Sequence, residues 1–250
     1  MKAPIDRAVF YARVRATKLL GPTISDTEFQ GLEGLFSAWE QQGWPSDLRH
    51  VAYTMATAWH EARLDGGIRE IGRGKGHAYG KPAGPHGQVY YGRSFSQLTW
   101  YENYEKFGRL LNLDLARNPD LALGPEIGAA ILIIGSRDGL FRAGKSLARY
   151  FNATKDDPVG ARDIINGDMN MVVKKQPDPS LTYGKMIAGY HRTFLGCLNA
   201  AYQANAPVPT PPVDVAPVAP PPAITPPTQP VPTVQTGGLW AAIKGMFGKA

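Results

Sequence analysis

The chain has 250 residues, a formal net charge of +6 and a single cysteine, Cys197. This length suits one or two domains, and one cysteine excludes an intrachain disulfide. No stretch approaches the roughly 20 consecutive apolar residues that a membrane-spanning helix requires. The basic residues are scattered and form no helix-turn-helix or zinc-finger pattern, so the charge favours anionic polymers or membrane surfaces over nucleic acid.

The N-terminus lacks the pattern of a secretory signal. Residues 1–20 interleave Asp6 and several arginines with apolar residues, and they contain neither a continuous apolar region nor a small-residue cleavage site. We therefore expect synthesis in the cytoplasm without classical export. Cys197 lies in an apolar helical run, which favours packing in the core over nucleophilic chemistry.

The first two elements have the apolar spacing of helices. Residues 5–20 predict a helix, and Ser25 and Glu28 form a capping box, in which each residue satisfies a free backbone N–H of the other. The helix that follows is predicted to bury Phe29 with other apolar residues and to end near Gly43.

A third helix is predicted to begin at a Ser46 cap and to carry Trp59 near its end. Glu61 lies two residues further on, about 200° around the helix from Trp59. It therefore falls off the apolar side of the helix. A solvated glutamate and a carboxylate that faces a cleft both fit this position.

Residues 62–90 predict a long irregular connection, because they contain eight glycines and two prolines. Such connections in compact domains are usually functional or disordered. His77 and His86 lie in this segment, but their spacing fits no zinc pattern, so we expect no metal site. A short hairpin is predicted near residues 88–91.

The next part of the chain is also predicted to be helical. Thr99 or Trp100 begins one helix, and Pro125 suits the first position of a buried core helix over 127–134. Further helices are predicted at 146–151, 158–165 and 181–204. Strand signals are weak, so residues 1–205 predict a mainly α domain.

The C-terminal part differs in composition. Twelve of the 22 prolines fall between Pro207 and Pro232, which predicts a disordered, extended Pro-rich linker over 206–236. Residues 237–250 predict a short cationic amphipathic helix, too short to cross a bilayer. The apolar face and the lysines over 239–250 suit binding to an anionic membrane surface or to a partner protein. A chain end that binds nothing has the same pattern.

Several motifs occur together in one order between residues 5 and 200. They are Trp59-His60-Glu61, Tyr90-Tyr91-Gly92-Arg93, Gln97-Leu98-Thr99-Trp100, Asn103-Tyr104, Asn118-Pro119-Asp120-Leu121 and Ile164-Ile165-Asn166-Gly167. In these motifs the chain resembles glycoside hydrolase family 19, the plant-type chitinases and many phage endolysins, and is closest to the phage and prophage lysins. The resemblance implies a lysozyme-like, lobed helical domain with a cleft.

The resemblance also implies the catalytic residues. Glu61 would be the general acid and Glu70 the general base of an inverting reaction, with Thr99 helping to hold the attacking water. Inversion needs the two carboxyl groups about 6.5–9.5 Å apart, to leave room for that water. Apolar neighbours such as Trp59 are expected to keep Glu61 protonated. Glu102 is the alternative base.

Sugar contacts are implied for six further residues: His60, Tyr91, Arg93, Gln97, Asn103 and Asn166. Amide side chains suit this role because they both donate and accept hydrogen bonds. Ser94 stands where the family usually has glycine, and residues 168–179 look inserted relative to the lysins. Neither departure removes a predicted catalytic carboxylate.

The expected activity is that of a monomeric endolysin without a cofactor. Its substrate would be the glycan strand of bacterial peptidoglycan, reached after release from the host cytoplasm. A chitinase that acts on N-acetylglucosamine polymers is the alternative enzyme. A non-catalytic protein that binds the cell wall or perturbs membranes is the alternative outside the enzymes.

Overall fold

The computed structural model describes residues 5–204. This range forms seven α-helices: α1 (Arg7–Thr17), α2 (Asp26–Gln42), α3 (Leu48–Ala62), α4 (Tyr101–Leu111), α5 (Pro125–Asp138), α6 (Leu147–Tyr150) and α7 (Tyr183–Ala204). The described fold is therefore mainly helical, as the sequence predicts. The predicted linker over 206–236 and the terminal segment over 237–250 lie outside the described residues.

Two of the helix starts follow from local side chains. Asp6 caps α1, and its carboxylate accepts a hydrogen bond from the Val9 N–H at 3.1 Å. The predicted capping box of α2 is confirmed: the Ser25 N–H donates to the Glu28 carboxylate at 2.8 Å, and the Glu28 N–H donates to Ser25 Oγ at 3.3 Å.

The predicted cap of α3 at Ser46 is wrong by one residue. Asp47 is the cap, and its Oδ1 accepts a hydrogen bond from the Arg49 N–H at 3.0 Å. The same carboxylate also binds the Arg49 guanidinium, with Nη2 2.6 Å from Oδ2. A carboxylate that satisfies both groups fixes the start of α3 more firmly than a hydroxyl would.

The core forms where the helices pack in pairs. α3 packs on α7, α1 packs on α7, and α2 packs on α5. The middle of α5 is buried, which confirms the predicted core helix, and Pro125 occupies its first turn. Between α2 and α3 the buried Trp39 indole donates to Thr54 Oγ1 at 3.0 Å. Phe29 was predicted to be buried but remains 46% exposed, with its ring against Tyr11.

The helix predicted over 158–165 is a 3-10 helix at Gly160–Ile164 instead. Its tight turn begins where the Gly160 N–H donates to Asp157 Oδ1 at 2.8 Å. The neighbouring helix α6 is also shorter than predicted and has only four residues.

The C-terminal end of α3 is held against α2 by a close backbone contact. Arg63 and Leu64 turn the chain in the left-handed region, with φ of 52° and 60°. The Leu64 carbonyl lies where a Cβ on Gly31 would be, so only glycine at position 31 allows this approach. The contact fixes the helix end that carries Glu61.

The segment between α3 and α4 is irregular, as predicted, and isolated β-bridges organise it. Arg69 pairs with Arg93, Arg93 with Leu98, and Ala83 with Gln88, all antiparallel. The first two bridges pair the chain at Arg93 with the chain at Arg69 on one side and at Leu98 on the other. In the described range no helix is both long and apolar enough to cross a membrane.

Candidate active site

Glu61 lies in the last turn of α3 and forms an ion pair across the fold. Its Oε1 contacts Nη1 of Arg162, a residue of the 3-10 helix at Gly160–Ile164. The Arg162 side chain is only 4% exposed and that of Glu61 18%. The sequence predicted apolar surroundings for Glu61, and the structure places a buried guanidinium there instead.

Arg162 is shared between two carboxylates. Its Nε lies 2.6 Å from Asp168 Oδ1 and its Nη2 3.1 Å from Asp168 Oδ2, while Nη1 contacts Glu61. Burial opposes the charge on Arg162, but Asp168 and Glu61 outweigh it and raise the pKa of the guanidinium above its usual value. The predicted sugar contact Asn166 joins this group, donating to Asp168 Oδ2 at 3.2 Å.

Asp168 begins the segment that looked inserted in the sequence. This segment folds back before α7, where the Val173 N–H donates to the Leu181 carbonyl at 2.9 Å and the Tyr183 N–H to the Met171 carbonyl at 3.0 Å. These bonds place Asp168 beside Arg162.

His60 precedes Glu61 and is half-buried. Its ring packs edge-on against Tyr183, the first residue of α7, with centroids 5.6 Å apart. Burial lowers the pKa of His60 below its usual value, although the neighbouring Glu61 charge acts in the opposite direction.

Glu70 is held by two neutral donors. The Gly92 N–H donates to Oε2 at 2.9 Å and the Tyr79 hydroxyl donates to Oε1 at 2.9 Å. The Glu70 N–H in turn donates to the Gly92 carbonyl at 2.8 Å. No ion pair to Glu70 occurs within the described residues, since the neighbouring Arg69 and Arg93 both bind Asp120.

Arg93 connects the chain segments around Glu70 through its side-chain hydrogen bonds. Its side chain is buried, its Nε binds Asp120 at 2.7 Å, and its Nη1 donates to the Tyr91 carbonyl at 3.1 Å. Arg69 binds the other oxygen of Asp120 at 3.1 Å. Burial opposes ionisation of Asp120, but the hydrogen bonds from Arg93 and Arg69 outweigh it and lower its pKa.

Tyr91 is buried against the Arg93 side chain. The Arg93 guanidinium lies over the Tyr91 ring, 3.6 Å from its centroid. Arg93 and Tyr91, both predicted to contact sugar, therefore support the site from within the fold.

An aromatic group lies beside Glu70. His77 stacks on Tyr79 with centroids 5.0 Å apart, and Trp100 meets Tyr79 edge-on at 5.5 Å. Trp100 caps α4 with φ of 72° and is 46% exposed. An exposed indole that packs on the tyrosine bound to Glu70 is suited to stacking on a sugar ring.

The predicted polar contacts Gln97, Thr99 and Asn103 are partly buried; Gln97 and Thr99 precede α4, and Asn103 lies in its first turn. Gln97 Nε2 donates to the Ser94 carbonyl at 3.0 Å, and Asn103 Nδ2 donates to the Thr99 carbonyl at 2.9 Å. Gly92 brings Gln97 close to Glu70, since a Cβ there would meet the Gln97 Oε1 at 2.8 Å and the Glu70 Cβ at 3.2 Å. Ser94 adopts φ of 61°, a conformation that glycine, the family's usual residue there, reaches more easily.

Four of the predicted site residues thus fall into two groups. Glu61 and Asn166 belong to one network through Arg162 and Asp168, while Glu70 and Gln97 meet at Gly92. The sequence did not single out Arg162, Asp168 or Tyr79. Arg162 lies about a hundred positions from Glu61, and no local pattern reveals such a contact.

The described residues contain no group of three or more His, Cys, Asp or Glu side chains placed to hold a metal ion. A surface cavity of about 840 Å³ lies elsewhere, at the N-terminal end of α3, and none of the predicted site residues lines it.

No protein-family model matches the chain, and no curated protein matches it at a significant level. The resemblance to family 19 therefore depends on the sequence motifs alone.

Proposed function

We propose that the helical domain is a lysozyme-like glycoside hydrolase of the family 19 type that cleaves the glycan strand of bacterial peptidoglycan. The reaction would be an inverting hydrolysis with Glu61 as general acid and Glu70 as general base. The observation that carries the proposal is the difference between the two carboxylates: Glu70 accepts neutral donors, and Glu61 shares a buried arginine with Asp168.

Glu70 suits the base because its donors fix its orientation without neutralising it. Tyr79 and Gly92 occupy one lone pair on each oxygen, and a carboxylate has about four such acceptor positions. Acceptor positions therefore remain for the attacking water. Thr99, two residues before α4, would help to hold this water, as the resemblance implies.

Glu61 is the acid that the resemblance implies, and Arg162 would position it. Asp168 binds the guanidinium through two nitrogens and Glu61 through one. A two-point Arg–carboxylate pair is geometrically specific, so Asp168 fixes the position of the guanidinium that contacts Glu61. Arg162 would then orient Glu61 and stabilise its charge after the proton has moved to the leaving oxygen.

The remaining features suit a polymeric, anionic substrate. The exposed Trp100 offers a ring for stacking, and the formal charge of +6 favours approach to a negatively charged wall.

The proposal is tested by the rate at which purified peptidoglycan is solubilised by the wild type and by Glu61→Gln, Glu70→Gln and Glu102→Gln. Glu61→Gln and Glu70→Gln should each lose activity by at least about a hundredfold, since general acid–base catalysis typically contributes 10²–10⁴-fold. Glu102→Gln should retain it, because Glu102 is exposed on α4. Full activity of Glu61→Gln would refute the carboxylate mechanism, and loss in Glu102→Gln alone would move the base to Glu102.

A further inference from the structure

We propose that the cavity at the N-terminal end of α3 is a second, non-catalytic site that binds N-acetylhexosamine units of a glycan. This choice of ligand rests on the proposed function, whereas the site itself rests on the geometry of the cavity. The volume of about 840 Å³ falls within the roughly 300–1,000 Å³ that is usual for ligand sites. The cavity is lined by residues 45–50, residues 151–153, Leu195, Asn199 and Tyr202.

The cavity is separate from the candidate active site. Leu48 begins α3 and lines the cavity, while Glu61 lies 13 residues further along the same helix. At 1.5 Å per residue this separation is about 20 Å. A glycan chain of several sugars is long enough to occupy both places at once.

The charges in the cavity are already paired. The Arg49 guanidinium binds the Asp47 carboxylate at 2.6 Å and donates to the carbonyls of Asn152 at 2.9 Å and Lys155 at 3.1 Å. A phosphate or a polyanion would have to break these bonds to reach the guanidinium. The cavity therefore favours a neutral ligand.

Three polar side chains in the lining are unpaired within residues 5–204 and can bind a ligand. Ser46, Asn199 and Tyr202 make no side-chain hydrogen bond to the described part of the chain. Tyr202 is 50% exposed and lies on the same face of α7 as Asn199 and Leu195, three and seven residues before it.

These groups match the chemistry of an N-acetylated sugar. The Asn199 amide can donate to and accept from an acetamido group, and the Ser46 and Tyr202 hydroxyls can bind ring hydroxyls. The Tyr202 ring offers a surface for the apolar face of the sugar, and Leu48 and Leu195 can receive the acetyl methyl group.

The buried ring of Phe151 forms part of the cavity wall. Phe151 is buried between Tyr53 and His191, with ring centroids 5.3 Å and 5.1 Å away. A preformed wall lowers the entropy lost on binding. Two linked sites on one polymer would also raise the local concentration of substrate at the catalytic group.

The test uses full-length Glu61→Gln, so that the ligand is not cleaved, and follows amide chemical shifts by NMR. The probes are chitotetraose and a soluble glycan fragment of alternating N-acetylglucosamine and N-acetylmuramic acid without peptides. We expect shifts at residues 46–50, 151–153 and 195–202. Adding Tyr202→Ala or Asn199→Ala should weaken binding at these residues roughly tenfold, whereas Arg192→Ala, an exposed position on α7 outside the cavity, should not.

Response to either probe supports the site, and the more tightly bound probe identifies the polymer that it recognises. Shifts confined to the surroundings of Glu61 and Glu70, or unchanged in Tyr202→Ala, would overturn it. Peptidoglycan and chitin hydrolysis by the wild type is measured separately. If the wild type cleaves neither polymer but the cavity binds a probe, the proposed function fails and the second site stands. If the wild type cleaves a polymer but the cavity residues show no shifts, the second site fails and the proposed function stands.

Discussion

Tyr79 and Gly92 hold Glu70 with one hydrogen bond on each carboxylate oxygen. Tyr79 lies in a glycine-rich loop, and its ring is enclosed by His77 and Trp100. Burial and the hydrogen bond to Glu70 raise the pKa of the Tyr79 phenol above its usual value, so the hydroxyl remains a donor at neutral pH. Tyr79 is therefore a positioning residue for the proposed base.

Tyr79→Phe should lower kcat on peptidoglycan about tenfold and leave KM nearly unchanged. Loss of a hydrogen bond to a charged group costs about 1.5–3 kcal/mol, and part of this loss would come from poorer orientation of the Glu70 carboxylate. The matched control is Tyr101→Phe, which removes a phenol–carboxylate bond of 3.2 Å to Glu105. Equal rates for Tyr79→Phe and the wild type would exclude the positioning role.

His191 makes stability depend on pH. Burial lowers the pKa of His191 from 6.5 to about 4. Below pH 6.5 the unfolded chain takes up a proton that the folded protein does not accept until about pH 4. Stability should therefore fall as the pH drops through this interval, by roughly 3 kcal/mol.

This loss can be measured by urea unfolding at pH 7 and at pH 4.5. His191→Phe retains a ring against Tyr53 and Phe151, and it should reduce the difference between the two pH values. Burial also lowers the pKa of His60, so a smaller loss of stability at low pH should remain in His191→Phe. An unchanged difference in His191→Phe would contradict the assignment.

At the scale of elements, the contact of α2 with the end of α3 fixes Glu61. Gly31→Ala would drive a Cβ into the Leu64 carbonyl, so we expect a loss of about 1–3 kcal/mol in unfolding free energy and reduced activity. The helix propensity of alanine acts in the opposite direction by about 1 kcal/mol.

Gly196→Ala is the matched control, because Gly196 lies on the exposed side of α7 and has no atom near the added Cβ. It should stabilise the protein by about 0.5–1 kcal/mol. Thermal unfolding of both variants distinguishes the packing effect from propensity, and stabilisation by Gly31→Ala would contradict the close contact.

The sequence predicted those elements whose causes are local. The capping box of Ser25 and Glu28, and Pro125 at the start of α5, depend on neighbours within one turn. The 3-10 helix at Gly160–Ile164 was missed because its apolar spacing resembles that of an α-helix, while Asp157 tightens its first turn.

The candidate site was predictable only through its motifs. Glu61 could be singled out because it belongs to the Trp59-His60-Glu61 motif, and Glu70 was assigned only by the resemblance to family 19. Arg162 could not be singled out, since its contact with Glu61 joins distant parts of the chain. Tyr79 was one aromatic residue in a loop without periodicity, and only its hydrogen bond to Glu70 reveals its role.

At the scale of the whole molecule, the sequence predicts two further segments after the helical domain. The Pro-rich linker over 206–236 and the cationic segment over 237–250 remain predictions. Deleting 237–250 should reduce binding to anionic liposomes, because Lys244 and Lys249 accompany an apolar face. Unchanged liposome binding would remove the membrane role.

The most direct measurement of the central claim is product analysis after digestion of peptidoglycan and of chitin oligomers in parallel. Mass spectrometry identifies the bond that is cut, and NMR during the first minutes identifies the anomer formed. We expect new glycan ends from peptidoglycan with inverted anomeric configuration, and none with Glu61→Gln. Retained configuration would contradict the roles proposed for Glu61 and Glu70, cleavage of chitin alone would make the protein a chitinase, and cleavage of neither would contradict the enzyme itself.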